Sequence, residues 1–252
     1  MIPRWLAAAA LAVILPGAAS AAPASPDGWE GVPRYDHVFV IVEENKTFEH
    51  VIGSPAAPEI NALAARYGQA TDFYGEAHPS EPNYVAIVGG DTFGIHDDEP
   101  WYCKPGSTRP DCGGAASPGY VDHTVHARHL GDQLAAAGLD WKGYYEDIPA
   151  PGSLAVISAG PVALYASKHA GFVNFADVQS DPRRAGRLVG FDQLRRDLAS
   201  GRLPAFALVI PNQCNEMHGR PGPGVPPGCD SQDKPGLIRR GDAEAGRLVR
   251  LI

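Results

Sequence analysis

Residues 38–42, Val-Phe-Val-Ile-Val, are an unbroken apolar, β-branched-rich run that stops at Glu43-Glu44-Asn45. A run this short and uniformly apolar reads as a parallel strand covered on both faces. That commits the chain to helices packed on two sides of a sheet. A second run, Phe206–Ile210, repeats the pattern, and Trp141–Tyr145 and Val173–Phe175 are shorter strand candidates. Between them lie helical patterns: Ile60, Leu63, Ala64 and Tyr67 on one face before Gly68; Asn83–Val88 with Pro82 in its first turn; 124–137, ended by Gly138; 191–199; and 242–252. The alternation predicts an α/β protein, a three-layer sandwich with a largely parallel central sheet.

The chain can support such a core. Of its 252 residues, 44% are hydrophobic and 20% charged, and 29 Gly and 24 Pro supply long loops without reaching low complexity. The formal charge of −8 argues against a nonspecific nucleic-acid binder. It leaves anionic substrates open, because a metal ion or a helix N-terminus attracts phosphate locally. Arg4, the apolar stretch from Leu6 to Leu15 and Ala19-Ser20-Ala21 together read as a secretory signal peptide over 1–21, cleaved after Ala21. A linker over 22–34 and one domain over 35–252 follow. No other segment has the length of a membrane span, so stable membrane insertion is not expected and the mature chain is read as secreted or periplasmic. In that oxidising setting the four cysteines read as loop staples. Four cysteines allow three connectivities, and the local pairing Cys103–Cys112 with Cys214–Cys229 is the expectation. The rival zinc site lacks any C-x-x-C pair.

In an open parallel sheet the ligand site lies beyond the carboxyl ends of the strands. That singles out Glu43, Glu44 and Asn45 after the first strand, and Asn212, Asn215, Glu216 and His218 after the strand ending at Ile210. Dinucleotide-binding and P-loop glycine patterns are absent from the sequence, as is a G-x-S-x-G elbow. Ser80 precedes a helix, where a phosphate would meet free N–H groups and the positive dipole end. Glu44 and Asn45 are hard oxygen donors suited to a divalent cation. Each also has a plain structural reading: Ser80 as an N-cap, Glu43 and Glu44 as solvated loop residues, His169 and His218 as ordinary loop histidines. His123, His126 and His129, at three-residue spacing, read as the solvated start of a helix rather than a metal site, and Trp141, Tyr144 and Tyr145 as packing aromatics.

Four segments, in order, carry a resemblance. They are His37–Glu49, a strand run followed by E-N-K-T-F-E; His78-Pro-Ser-Glu-Pro-Asn-Tyr84; Trp141–Pro149, with Lys168-His169 and Phe175–Val178 after it; and Ile210-Pro-Asn212, with Met217-His218-Gly219 and Gly241-Asp242. From about residue 35 to its end the chain resembles the phosphoesterase family of secreted acid phosphatases and phospholipases C. The resemblance implies an alkaline-phosphatase-like fold and hydrolysis of a small phosphate ester, acid-phosphatase-like and acting on monoesters. The alternatives are a phospholipase C-like phosphodiesterase or an inactive phosphate-binding remnant. It further implies a divalent metal ion held by Glu44, Asn45 and Ser80, with Ser80 as nucleophile, His169 and His218 at the phosphate, and His78 and Asn83 on the substrate side. In the family, a helix like that over 242–252 leads to a further strand ending in an acidic pair. The sequence reaches Ile252 before such a strand, so the expectation is a fold whose C-terminal part is missing.

Overall fold

The computed structural model describes residues 32–252, and residues 37–252 form one unit. The signal peptide expected over 1–21 lies outside the described residues, as does most of the linker. In chain order the elements are β1 (Val38–Ile41), α1 (Phe48–Val51), α2 (Pro58–Tyr67), α3 (Glu81–Gly89), α4 (Leu130–Ala136), β2 (Trp141–Tyr145), α5 (Ala176–Ser180), α6 (Pro182–Ala185), β3 (Leu188–Val189), α7 (Phe191–Ser200), β4 (Phe206–Ile210) and α8 (Lys234–Leu251). Single 3-10 turns cover Gly113–Ala116, Ser167–His169 and Phe172–Asn174.

The strands pair in the order β1-β4-β2-β3, every pair parallel. Side-chain alternation then builds a layer on each face. Trp141 and Tyr145 of β2, with Phe206, Leu208 and Ile210 of β4, face Tyr84, Val85 and Val88 of α3 and the aromatic pair Phe172 and Phe175. The in-between residues Tyr144, Ala207 and Val209 face Phe191 and Leu194 of α7 and Leu248 of α8. The expected α/β architecture, a parallel sheet with helices on both faces, is therefore present. β4 is buried along its whole length, and Trp141, Tyr144 and Tyr145 are buried as the packing reading requires.

Several local expectations are corrected. The first apolar run is not covered on both faces: β1 is an edge strand, only partly buried, with Val38 exposed. A strand half-lined by an apolar groove has the same composition as a central one, so the sequence pattern could not separate them. The helix expected over 124–137 begins only at Leu130. His129 ends the preceding loop by accepting from Gly131 N–H through Nδ1 at 3.0 Å, while Asp132 Oδ2 accepts the His129 N–H at 3.1 Å. Residues 173–175 do not form a strand. Val173 and Asn174 belong to a 3-10 turn, and Phe175 after it makes one parallel bridge to Val125. The last helix starts earlier than expected, at Lys234, where Asp233 Oδ1 accepts Gly236 N–H at 2.9 Å. β3, two residues long, carried no readable pattern. Both disulfides form with the local connectivity, at Cα separations of 5.5 and 4.8 Å for Cys103–Cys112 and Cys214–Cys229.

The histidine triplet is also corrected. It does not lie on a solvated helix: His123 and His129 are fully buried, and only His126 is exposed. Burial lowers the His129 pKa, against the pull of Asp177 and Asp132; Nδ1 accepts the Gly131 N–H, which places the ring proton on Nε2, 3.3 Å from Asp177 Oδ2. The Arg184 guanidinium sits between Asp132 at 2.7 Å and Asp177 at 2.6 Å. A cation from the protein itself thus balances a carboxylate–imidazole group whose residue types also suit a metal.

One glycine sets how closely the face carrying His169 meets α3. Gly171, with φ 60° and ψ −68°, lies in a region that side chains disfavour, and a Cβ there would sit 2.5 Å from the Tyr84 carbonyl oxygen. Gly171→Ala is therefore expected to destabilise the fold by more than ~1 kcal/mol, read as a lower urea midpoint. Wild-type stability in that variant would contradict the close approach.

Candidate active site

Ser80, expected as either an N-cap or a nucleophile, does not cap α3. Its φ and ψ of −70° and −48° are already helical and its side chain makes no capping bond. Its Oγ donates instead to Glu44 Oε1 at 2.5 Å, across from the end of β1. Three positions after Ser80 that were expected to cradle a phosphate offer no free N–H. Glu81 N–H goes to Asp98 Oδ1 at 2.9 Å, Pro82 has none, and Asn83 N–H goes to the Ser80 carbonyl at 3.0 Å. The α3 N-terminus thus contributes its dipole to this region rather than a nest of free donors.

Glu44 is the point on which the site converges. Besides Ser80, the Tyr84 hydroxyl donates to its Oε2 at 3.1 Å, and His218 Nδ1 lies 3.3 Å from its Oε1. His169 Nε2 stands 3.8 Å from the same oxygen. Burial opposes the charge on Glu44, but the His218 hydrogen bond, the nearby His169 and the Ser80 hydroxyl outweigh it and bring its pKa down to about 2. His169 is itself buried, stacked on Tyr84 with ring centroids 4.9 Å apart, and its Nδ1 lies 2.6 Å from Glu216 Oε1. Burial works against charge on this ring, yet Glu216 and Glu44 raise its pKa, which favours the imidazolium. The rings of His169 and His218 are 5.1 Å apart. One cluster therefore holds a hydroxyl, a carboxylate and two imidazoles.

The backbone around these groups is held in unusual conformations. Asn45 and Met217, next to Glu44 and His218, have φ of 55° and 75°, a left-handed region that costs energy unless the surroundings impose it. Lys46 supplies part of that imposition. Its Nζ donates to the carbonyls of Asn45 at 3.1 Å and Met217 at 2.5 Å, joining the turn after β1 to the turn after β4. Tyr145 donates to the Ala170 carbonyl at 2.6 Å and pins the turn bearing His169 to β2.

The remaining expected residues are placed less centrally. Asn45 and His78 are exposed. The Asn83 amide is occupied by the backbone of the loop before Ser80, accepting from Glu76 and Ala77 N–H and donating to the Ala77 and Pro79 carbonyls. Asp242, matched in the sequence as part of a motif, caps α2 by accepting Glu59 and Ile60 N–H at 3.1 and 2.8 Å. Sequence reasoning underrated Glu216 and Tyr84. Tyr84 lay inside a quoted motif and Glu216 among the residues after the strand ending at Ile210, but nothing local marked Glu216 as the partner of His169 or Tyr84 as a donor to Glu44. It also left Glu43 without a role. This buried carboxyl has no hydrogen-bond partner, and burial together with Glu216, Glu244, Asp242 and Glu146 raises its pKa well above the usual range.

For a metal ion, Glu44, His169 and His218 each offer a ligand atom within 4.8 Å of the others, and the Ser80 oxygen is bonded to the same carboxylate. A mixed oxygen and imidazole set of this kind suits a divalent cation. Buried His169 nitrogens without aligned hydrogen-bond partners agree with that fit.

Behind Ser80, Glu81 is buried and accepts from Asn174 Nδ2 at 2.5 Å. The buried His123 ring lies between Glu81 Oε1 at 3.0 Å and Asp97 Oδ1 at 3.1 Å. Burial disfavours the imidazolium, but the bonds and charges of Glu81 and Asp97 raise the His123 pKa. A raised folded-state pKa gives stability that is full below the unfolded value, ~6.5, and is lost as pH rises through the folded value. His123→Gln should therefore lose most stability against wild type near about pH 6, with the gap narrowing as pH rises. Urea titrations across that range check it, and a gap that widens with pH would contradict the charged-ring account.

With this geometry described, comparison with known proteins adds three findings. A family model described as the Phosphoesterase family matches residues 54–224. The phosphatidylinositol-3-phosphatase of Mycobacterium tuberculosis is 37% identical over 187 residues, covering 74% of this chain and 53% of that protein. An acid phosphatase of Aspergillus fumigatus is 30% identical over 212 residues (82% and 42%), and a phosphate-repressible acid phosphatase of Penicillium chrysogenum 28% over 204 residues (79% and 43%). The chain spans about half, or somewhat less, of the length of these relatives.

Proposed function

The chain belongs to the Phosphoesterase family, and from that premise we propose that it hydrolyses phosphate esters with Ser80 as the nucleophile. The observation that carries this reading is the Ser80 hydroxyl aimed at Glu44 rather than at its own helix. A serine used only as a cap would do the opposite.

In the proposed reaction the Ser80 Oγ, oriented by its hydrogen bond to Glu44, gives its proton to water and attacks phosphorus in line with the leaving oxygen. His169, whose pKa Glu216 and Glu44 raise against its burial, lies where it can offset the negative charge of the phosphoryl oxygens. His218, less buried than His169 and on the open side of the pair, protonates the leaving oxygen. Water then cleaves the seryl phosphate. Glu44, Asn45 and Ser80 would hold a divalent metal ion, with His169 and His218 beside it; when bound, it would neutralise phosphate charge and favour the serine alkoxide. Tyr84 holds Glu44 in place from behind, and Asn83 shapes the loop that carries His78 and Ser80 toward substrate.

Relatives named acid phosphatases favour a phosphomonoester over a diester substrate. The M. tuberculosis relative extends the candidate class to the monoester phosphate of a phosphoinositide. The parallel sheet with helices on both faces supports reading the fold as alkaline-phosphatase-like. Two disulfides support an exported protein, and among the described residues no helix is long and apolar enough to cross a membrane.

The test is hydrolysis of p-nitrophenyl phosphate with divalent metals and with chelator. Ser80→Ala should reduce turnover by ~10⁴-fold or more while lowering the melting temperature by only a few degrees, the effect of one donor lost to Glu44, and chelator should silence the unmodified chain. Wild-type-like hydrolysis by the variant would exclude Ser80 as nucleophile.

A further inference from the structure

We infer that Asp98 is a positioning residue, whose single carboxylate sets the placement of Ser80 relative to His169. The inference rests on the reading of Ser80 and His169 as partners at one phosphate. Asp98 Oδ1 accepts the N–H of Glu81, the residue after Ser80, at 2.9 Å. Its Oδ2 accepts Nζ of Lys168, the residue before His169, at 2.8 Å. A carboxylate is rigid and planar, so two bonds to its two oxygens fix the separation of the two groups they hold. Here those groups are the first turn of α3 and the 3-10 turn Ser167–His169.

The arrangement also answers why Ser80 is free to face Glu44. The first N–H of α3 needs an acceptor, and Asp98 provides it from a distant loop, acting as the cap that Ser80 is not. Lys168 supplies the balancing charge, so that an acid at the helix start does not add uncompensated negative charge near an incoming phosphate. The pair is half-buried, with side-chain exposures of 23% for Lys168 and 26% for Asp98, so water screens it only in part. The loop that carries Asp98 is gripped a second time through Asp97, His123 and Glu81, which limits its freedom to drift.

The test compares wild type with Asp98→Ala, Asp98→Asn, Lys168→Met and the Asp98→Ala/Lys168→Met double variant. Two readouts are used: steady-state hydrolysis of p-nitrophenyl phosphate with divalent metal, and the NMR shifts of the His169 ring nitrogens. Asp98→Ala should lower kcat by about 10- to 100-fold, the scale expected of misplaced reacting groups, with KM changed less than kcat. Asp98→Asn keeps an acceptor for Glu81 N–H and should recover part of the loss. The double variant should be no worse than Asp98→Ala alone, since both changes break one linkage. The His169 ring shifts should move in Asp98→Ala and Lys168→Met alike. Unchanged kcat in Asp98→Ala, or equal losses in Asp98→Asn and Asp98→Ala, would overturn the inference. So would unmoved His169 shifts in a folded Asp98→Ala protein, and that readout needs no activity. Absence of turnover in wild type, by contrast, would overturn the proposed hydrolysis and leave the NMR result to decide the role of Asp98.

Discussion

Glu44 keeps a negative charge in a place where burial alone would remove it. A carboxylate at the end of a strand, taken out of water, stays ionised only if donors replace the lost hydration. Ser80, Tyr84 and His218 converge on it, with the charge of His169 close by, and its pKa falls to about 2. These four partners come from α3, the turn before Gly171 and the turn after β4. Satisfying one carboxylate therefore requires that three distant parts of the chain be brought to the end of β1. Losing any one donor leaves a buried acceptor short of a partner, which costs ~1–3 kcal/mol. Stability and site geometry are in this sense the same requirement.

The rest of the unit can be understood as the means of meeting it. β4, buried along its length, fixes the register between β1 and β2 and so the height at which their carboxyl ends stop. Lys46 ties the turns after β1 and β4, and Tyr145 and Gly171 set the His169 turn against β2 and α3. Each is a short, directional contact placed over a broad apolar layer. The apolar layers supply the burial, and the directional contacts choose which arrangement is buried.

The parts of this that were legible in the sequence are those with a local cause. Phe206–Ile210 read correctly as a strand because an apolar run of that length has few other uses, Trp141–Tyr145 because its aromatics favour a strand, and Pro82 marked the first turn of α3. Ser80 and Glu44 were singled out by their motifs and do come together, at hydrogen-bond distance. What escaped had a distant cause. An edge strand and a central strand share a composition, so β1 was misjudged. The helix expected over 124–137 took the histidines at its start as solvated, whereas His123 and His129 are buried against carboxylates from other segments. The expected phosphate cradle at α3 has fewer free donors than the sequence suggested for the same reason. Asp98, outside every motif quoted, takes the first N–H, and no pattern near Ser80 announces it. Asp242 sits in a recognisable dipeptide yet serves α2, which only the packing of α8 reveals.

The central claim is that Ser80, facing Glu44, carries the phosphoryl group during turnover. Its most direct test is to quench the chain with acid during p-nitrophenyl phosphate hydrolysis in the presence of divalent metal and to map the modified peptides by mass spectrometry. The account predicts one phosphoryl group, on Ser80, that disappears when substrate is exhausted. Turnover without a phosphoryl group on Ser80, under acid conditions that preserve phosphoserine, would contradict it.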